Sequence, residues 1–291
     1  MSRAILLLGL VVPFLPLVPG DEAREKERQE IGWDFKGKQK SEHFLIYYGT
    51  SSKLAKKLAV YGEALVSTFQ AEFGEVMGPG EPKPLRVYVF RTKDQYASYL
   101  KERAPGMATT LYAQYDPFHQ IAYICKEGSS EAFLIQGFVH ENTHALCGRL
   151  MGGGVSWLLE GWADYMALSV EHKKQRLSLG KVYQTKQSGH ATVTKLLIKQ
   201  GKALPLSDLV VMDRVTFSRL GLRSYPQSWA LFYFLRHYGG GVYREGLDRY
   251  IKAISEGKRG KAVFEKEIGQ LESIEKEWRD YVRTISTRRA R

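Results

Sequence analysis

His140-Glu141-Asn142-Thr143-His144 lies inside the apolar run 138–146, and this stretch decides how the rest of the chain is interpreted. On a helix, residues i and i+4 stand one above the other on one face, so both imidazoles reach the same point in space. Two converging imidazoles suit a zinc ion, and Glu141 then projects to where a zinc-bound water would sit. We therefore predict that His140 and His144 are zinc ligands and that Glu141 is a general base.

A candidate third ligand follows in Trp157-Leu158-Leu159-Glu160-Gly161-Trp162-Ala163-Asp164-Tyr165. Catalytic zinc takes three protein ligands and keeps one position for water, and two histidines with a glutamate form one known set. Glu160 and Asp164 share a helical face, so Asp164 can accept the second N–H of a ligand histidine and fix its tautomer. The alternative is that both carboxylates are solvated charges on an amphipathic helix. The flanking Trp157 and Trp162 favour a buried helix, in which carboxylates need partners.

These two motifs resemble those of the gluzincin metallopeptidases, the peptidase MA-like group that includes thermolysin and the relatives of aminopeptidase N. The resemblance extends from about residue 43 to the C-terminus. It implies a thermolysin- or aminopeptidase-like catalytic domain in which His140, His144 and Glu160 bind Zn²⁺. One departure is the connection of fifteen residues between His144 and Glu160, which is shorter than in those relatives.

A third match begins at Tyr225-Pro226-Gln227-Ser228-Trp229, which is similar to the tyrosine-led helix of the aminopeptidase relatives. There the tyrosine hydroxyl points at the zinc site and stabilises the oxyanion, so the resemblance assigns this role to Tyr225. The alternative is that Tyr225 only precedes a helix with Pro226 at its first position.

Two strand-like runs, 109–115 and 120–125, meet at the turn residues Asp116-Pro117 and directly precede the helix of the histidines. In gluzincins the strand in this position borders the cleft and pairs with an extended substrate backbone. The resemblance therefore places four residues in the substrate groove: Thr110, Leu111, Tyr112 and Ala113. An edge strand can accept a peptide because its unpaired N–H and C=O groups need partners. The alternative is an ordinary strand inside the sheet.

The remaining pattern predicts an α+β fold, in which a small mixed or antiparallel sheet with helices precedes a mainly helical half, with the zinc helices at the junction. Alternation predicts a strand over residues 85–90, and helical spacing predicts a helix over 52–73. We also predict a strand over 43–48 and helices over 204–217 and 226–237. The predicted divisions are a signal peptide at 1–20, a charged leader at 21–41, an α/β half with the zinc motifs at 42–172, and a helical half at 173–291.

The 291 residues are 44% hydrophobic and 25% charged, which is typical of a globular protein with a substantial core. Residues 1–20 contain Arg3, an apolar run broken by Pro13 and Pro16, and a small residue at a cleavage point. This pattern predicts a signal peptide and therefore an exported protein, either secreted or periplasmic. An uncleaved N-terminal membrane anchor is the alternative, and no other segment is apolar enough to cross a bilayer.

The formal net charge is +12. A polyanion partner is one interpretation, but the basic residues are dispersed and no nucleic-acid motif accompanies them, which favours a solvated basic surface. An exported compartment permits a disulfide between Cys125 and Cys147, and two core thiols are the alternative. The other histidines, among them His43 and His190, lack ligand spacing, so we predict ordinary surface or core positions for them.

These observations predict a zinc-dependent metallopeptidase that hydrolyses a peptide or protein substrate, with Zn²⁺ as its cofactor. An aminopeptidase needs acidic groups to hold the free amine of its substrate, and near the predicted groove only Asp116 offers one. We therefore favour an endopeptidase. The alternative is a catalytically silent, exported binding or scaffold protein with the gluzincin fold, and polyanion binding is a weaker third interpretation.

Overall fold

The computed structural model describes residues 35–74, 83–184 and 189–289, and these form an α+β protein with one mixed sheet and many helices. The predicted signal peptide at 1–20 and most of the predicted leader lie outside the described residues. The chain forms two compact units that divide at residue 146, inside the continuous helix Glu131–Met151. The predicted boundaries at residues 41 and 172 stay predictions. No helix of the described residues is both long enough and apolar enough to span a membrane.

In the N-terminal unit, residues 35–145, five strands form one sheet. In chain order they are β1 (Gly37–Lys40), β2 (Phe44–Tyr48), β3 (Leu85–Phe90), β4 (Ala113–Asp116) and β5 (Ile121–Cys125). The spatial order is β1-β2-β3-β5-β4; β2, β3 and β5 are parallel, and the edge strands β1 and β4 run antiparallel to their neighbours. The predicted mixed sheet is thus confirmed.

Three helices accompany the sheet. Two of them lie in the crossover connections that parallel neighbouring strands need, and the third follows the last strand. They are α1 (Ser52–Phe73) between β2 and β3, α2 (Lys93–Arg103) between β3 and β4, and α3 (Glu131–Met151) after β5. Two of them start at capping residues: the Ser51 side chain accepts a hydrogen bond from the Leu54 N–H, and Thr92 and Gln95 form a capping box.

Tyrosines cover one face of the sheet. Tyr47, Tyr88 and Tyr123 are register partners on three adjacent strands, so their rings stand side by side with centroids 5.1 Å and 5.9 Å apart. On the opposite face, the ring of Phe44 lies 5.6 Å from that of Phe138 on α3. Since strand residues alternate between faces, these contacts on both sides fix the register of β2.

An ion pair joins the start of β2 to α1. Nδ1 of His43 lies 2.6 Å from Oε2 of Glu63, and the backbone N–H of His43 donates to Oε1 at 2.9 Å. Burial alone would raise the pKa of Glu63, but hydrogen bonding and the charge of His43 outweigh it, and the pKa is lowered. A carboxyl group with a lowered folded-state pKa stabilises the protein above its unfolded pKa. That contribution is lost as the pH falls through the folded-state pKa.

We therefore expect Glu63→Gln to lower the melting temperature at neutral pH and to match the wild type in acid, where Glu63 is protonated in both states. Thermal unfolding measured across pH tests this. Glu42→Gln is the matched control, because Glu42 is 81% exposed and lies 3.9 Å from the same imidazole. If the melting temperature of Glu63→Gln stays below that of the wild type in acid, the glutamine disturbs packing and the ion-pair explanation is wrong.

In the C-terminal unit, residues 146–289, helices dominate. They are α4 (Ser156–Leu168), α5 (His190–Lys199), α6 (Leu206–Leu209), α7 (Arg214–Arg219), α8 (Gly221–His237), α9 (Arg244–Ser255), α10 (Lys261–Glu267) and α11 (Leu271–Thr284). Two pairs of short strands accompany them: β6 (Val170–Glu171) with β7 (Arg176–Leu177), and β8 (Tyr183–Gln184) with β9 (Arg288–Arg289).

The helix α8 is the centre of this unit. It is buried on nearly all sides and packs against α4, α5, α7, α9 and α11. Trp162 of α4 stacks on Phe232 of α8 with ring centroids 5.4 Å apart. Next to this pair Gly161 permits a close approach, since a Cβ at this position would lie 2.5 Å from the carbonyl oxygen of Ser228. This contact fixes α4, which carries Glu160, against α8.

Two predicted helices differ from those in the structure. The helix α8 begins at Gly221, so the predicted start at Pro226 is wrong and Tyr225 lies inside the helix. Pro226 is the sixth residue of α8, so it removes one hydrogen bond of the helix and crowds the carbonyl of Leu222, and the burial of α8 on nearly all sides offsets this cost. The predicted helix 204–217 is divided into α6 and α7, because the Asp213 side chain accepts from the Thr216 N–H and starts a new helix.

Candidate metal centre

His140 and His144 converge on the buried side of α3. Both are almost inaccessible to solvent, and their Nε2 atoms lie 3.1 Å apart. Two nitrogens bound to one zinc ion at about 2.1 Å would be about 3.4 Å apart at a tetrahedral angle. The spacing of the two imidazole nitrogens is therefore close to that required by a shared metal ion.

Glu141 is buried on the same helix and acts on Tyr96 of α2. Burial raises the pKa of Tyr96, a hydrogen bond from Gln114 opposes this, and the carboxylate of Glu141 adds to the rise. Nε2 of Gln114 donates to the hydroxyl of Tyr96 at 2.5 Å and to the carbonyl of Ala108 at 2.9 Å. The neighbour of Glu141 is thus an uncharged phenol. Neither Tyr96 nor Gln114 was singled out from the sequence.

Glu160 is the third member of the group. The ligand atoms of His140, His144 and Glu160 all lie within 4.8 Å of one another, and all three residues are buried. Zinc binds imidazole nitrogens and carboxylate oxygens in sets of this composition, so the donor chemistry fits the predicted ion.

Arg214 holds Glu160, and sequence analysis did not find it. Nη1 of Arg214, on α7, donates to Oε1 of Glu160 at 2.6 Å. The side chain of Glu160 is 1% exposed and that of Arg214 is 23% exposed, so the pair is shielded from water. The two residues are 54 positions apart, and no local spacing signals such a contact.

Asp164 has a partner that was also not predicted. Nε2 of His190, the first residue of α5, lies 2.8 Å from Oδ2 of Asp164. We expected an ordinary surface or core position for His190, whereas the structure places it beside a buried carboxylate of the α4 motif. The prediction that Asp164 supports a ligand histidine stays a prediction.

Tyr225 is buried within α8, with its ring 5.0 Å from that of Phe217 on α7. Burial and the charge of Glu160 raise the pKa of its hydroxyl well above the ordinary value, and the nearby charge of Arg214 opposes this only in part. The hydroxyl of Tyr225 therefore lies close enough to Glu160 to respond to its charge. It also stays protonated, as a hydrogen-bond donor must.

Of the four residues predicted to line the groove, Ala113 is the first residue of β4, and Thr110, Leu111 and Tyr112 precede it. Because β4 begins at Ala113, the predicted strand start at residue 109 is wrong. The ammonium group of Lys93 donates to the carbonyl of Leu111, and the Cys125 N–H donates to that of Tyr112 at 2.7 Å. These bonds hold the chain just before β4.

The strand β4 is an edge strand. Among the described residues it pairs only with β5. In an antiparallel pair, every second residue directs its N–H and C=O towards the partner strand. Since Tyr112 bonds to Cys125 of β5, Ala113 directs its backbone groups to the opposite side, away from the sheet.

Cys125 and Cys147 are buried free thiols, so the structure has two core thiols and no disulfide between them. Burial raises the pKa of both thiols. Since the thiolate is the reactive form, neither residue is suited to nucleophilic chemistry.

A scan of the chain against protein-family models gave no match, and a search of curated proteins gave none either. The chemistry of the site residues is therefore the basis for a function.

Proposed function

We propose that the chain is a zinc-dependent metallopeptidase of gluzincin-like architecture that acts on peptide or protein substrates. The observation that carries this proposal is the buried group of His140, His144 and Glu160, whose ligand atoms lie within 4.8 Å of one another. Three protein ligands are typical of catalytic zinc, whereas structural zinc normally takes four. The buried Glu141 next to His140 supports a catalytic site, because a structural site has no use for a base.

Each residue has a defined part in the proposed reaction. A bound zinc ion would lower the pKa of its water towards about 7. Glu141 takes a proton from the attacking water and delivers it to the leaving amine. The protonated hydroxyl of Tyr225 donates a hydrogen bond to the oxyanion. Asp164 accepts a hydrogen bond from a ligand imidazole and keeps its orientation.

The proposed substrate is an extended peptide that pairs with the Ala113 edge of β4. Endopeptidase action is favoured by the contacts of Asp116, the one acidic group expected near the groove. Its Oδ1 accepts from the backbone N–H groups of Phe118 and His119, and its Oδ2 lies 2.6 Å from Nδ1 of His119. Asp116 is thus engaged in holding its own turn. Export is also part of the proposal and depends on the pattern of residues 1–20.

Metal content tests the proposal. We expect about one zinc ion per chain in the wild type and its loss in His144→Ala and Glu160→Ala, since each variant removes one of three ligands. His119→Ala is the control, because His119 pairs with Asp116 and belongs to no possible metal-ligand group of the described residues, and it should keep the metal. A zinc-free wild type, purified with zinc present and without chelator, would contradict the proposal and favour the binding or scaffold protein.

A further inference from the structure

The short helix α7 carries Arg214 and is held in place by contacts at both of its ends. Asp213 caps it, and Phe217 is buried on its inner side. The Ser224 hydroxyl of α8 donates to the carbonyl of Phe217 at 2.7 Å, and the Phe217 ring packs edge-on against Tyr225. The backbone of Arg214 is therefore fixed against α8, the same helix that fixes α4.

In this position Arg214 contacts Oε1 of Glu160. Nη1 of Arg214 donates to Oε1 at 2.6 Å, and the pair is largely shielded from solvent. Hydrogen bonds between charged groups are shorter than those between neutral groups and about twice as strong. One carboxylate oxygen is thus engaged by the protein itself.

We propose that Arg214 is a positioning residue for the metal: by holding Oε1 of Glu160, it would restrict the carboxylate to binding zinc through one oxygen. The inference rests on the proposed function, because it requires a metal at Glu160. A zinc site with two histidines and one single-oxygen carboxylate keeps its fourth position for water. If both oxygens of Glu160 could bind, the carboxylate would compete for that position.

Two effects of Arg214 on zinc affinity oppose each other. Loss of groups that orient a ligand typically weakens metal binding by about 10- to 100-fold. Repulsion between the guanidinium and a dication acts in the other direction, so its removal would tighten binding. Positioning predicts weaker binding in a variant without the guanidinium, and simple charge repulsion predicts tighter binding.

The first test is the zinc dissociation constant, measured by competition with a chromophoric chelator on the full chain. We expect Arg214→Met to bind zinc about 10- to 100-fold more weakly than the wild type. Arg214→Lys keeps a charged donor and should recover part of the affinity. Arg219→Met is the matched control, since Arg219 is an exposed arginine that ends the same helix, and it should bind zinc as the wild type does.

The second test is the visible spectrum with Co²⁺ in place of zinc, which reports coordination number independently of activity. Four-coordinate Co²⁺ absorbs visible light strongly, and higher coordination weakens the band. We expect a weaker band in Arg214→Met, because both oxygens of Glu160 can then reach the metal. If Arg214→Met does not fold, Arg214→Gln, which also lacks the charge, provides the same comparison.

The outcomes separate this inference from the proposed function. A wild type that binds no zinc contradicts the proposed function. A wild type that binds zinc through His144 and Glu160, with equal or tighter binding and an unchanged Co²⁺ spectrum in Arg214→Met, overturns the inference about Arg214 alone.

Discussion

Glu141→Gln is expected to abolish peptide hydrolysis and to leave the zinc in place. Glutamine has nearly the same size as glutamate, but its amide cannot accept the proton of the attacking water. Loss of a positioned general base typically costs about 10²- to 10⁴-fold in rate. Glu141 is not one of the three proposed ligands, so the metal content should stay at the wild-type value.

The measurement combines kcat/KM on quenched fluorescent peptide pools with metal content of the same preparations. Glu131→Gln is the matched control: it lies on the same helix, but in its first turn, where it pairs with Lys57 at 2.5 Å. This variant should be fully active. A Glu141→Gln protein that cleaves peptides as fast as the wild type would exclude Glu141 as the base.

The spacing of apolar residues predicted those helices and strands whose formation depends on residues close together in the chain. The helix α1 has the predicted bounds 52–73, and β3 has the predicted bounds 85–90. The approach of His140 and His144 is equally local, because any helix brings side chains four residues apart together. A 3.1 Å separation of their Nε2 atoms requires little more than the helix and the right rotamers.

The contacts of the carboxylates were not predictable in this way. Arg214 reaches Glu160 across 54 residues, and His190 reaches Asp164 from the first turn of α5. Both contacts depend on how helices pack around α8, and that packing is a property of the tertiary structure. A lone arginine in a short polar segment carries no signal of its partner. Buried carboxylates did indicate that partners were needed, but not which residues would supply them.

Short elements were predicted less well for a related reason. The strand β4 has only four residues and starts later than predicted, since Lys93 and Cys125 bind the carbonyls just before it. Its place at the edge of the sheet results from pairing with β5 alone among the described residues. Neither the start nor the edge position follows from the alternation of apolar residues, which a strand in the interior would share.

Gly161→Ala is expected to destabilise the protein, although alanine is the better helix former. A Cβ at residue 161 would lie 2.5 Å from the carbonyl oxygen of Ser228 and 2.8 Å from its carbonyl carbon. These are backbone atoms of α8, so no side-chain rotation relieves the contact, and α4 and α8 must move apart. Overpacking of this kind costs about 3 kcal/mol at the upper end of its usual range. The gain in helix propensity is about 1 kcal/mol, so we expect a net loss of about 2 kcal/mol.

Gly137→Ala is the matched control, because Gly137 also lies within a helix. A Cβ there would meet the Cβ of Ala113 at 3.4 Å, an ordinary contact, so only the helix propensity changes. We expect this variant to gain up to about 1 kcal/mol in the free energy of unfolding. Denaturant unfolding of both variants measures the difference, which should be about 3 kcal/mol. Equal stabilities would show that α4 and α8 do not need the close approach.

Because Glu160 precedes Gly161, the same separation of α4 from α8 should also weaken zinc binding in Gly161→Ala, and Gly137→Ala should leave it unchanged.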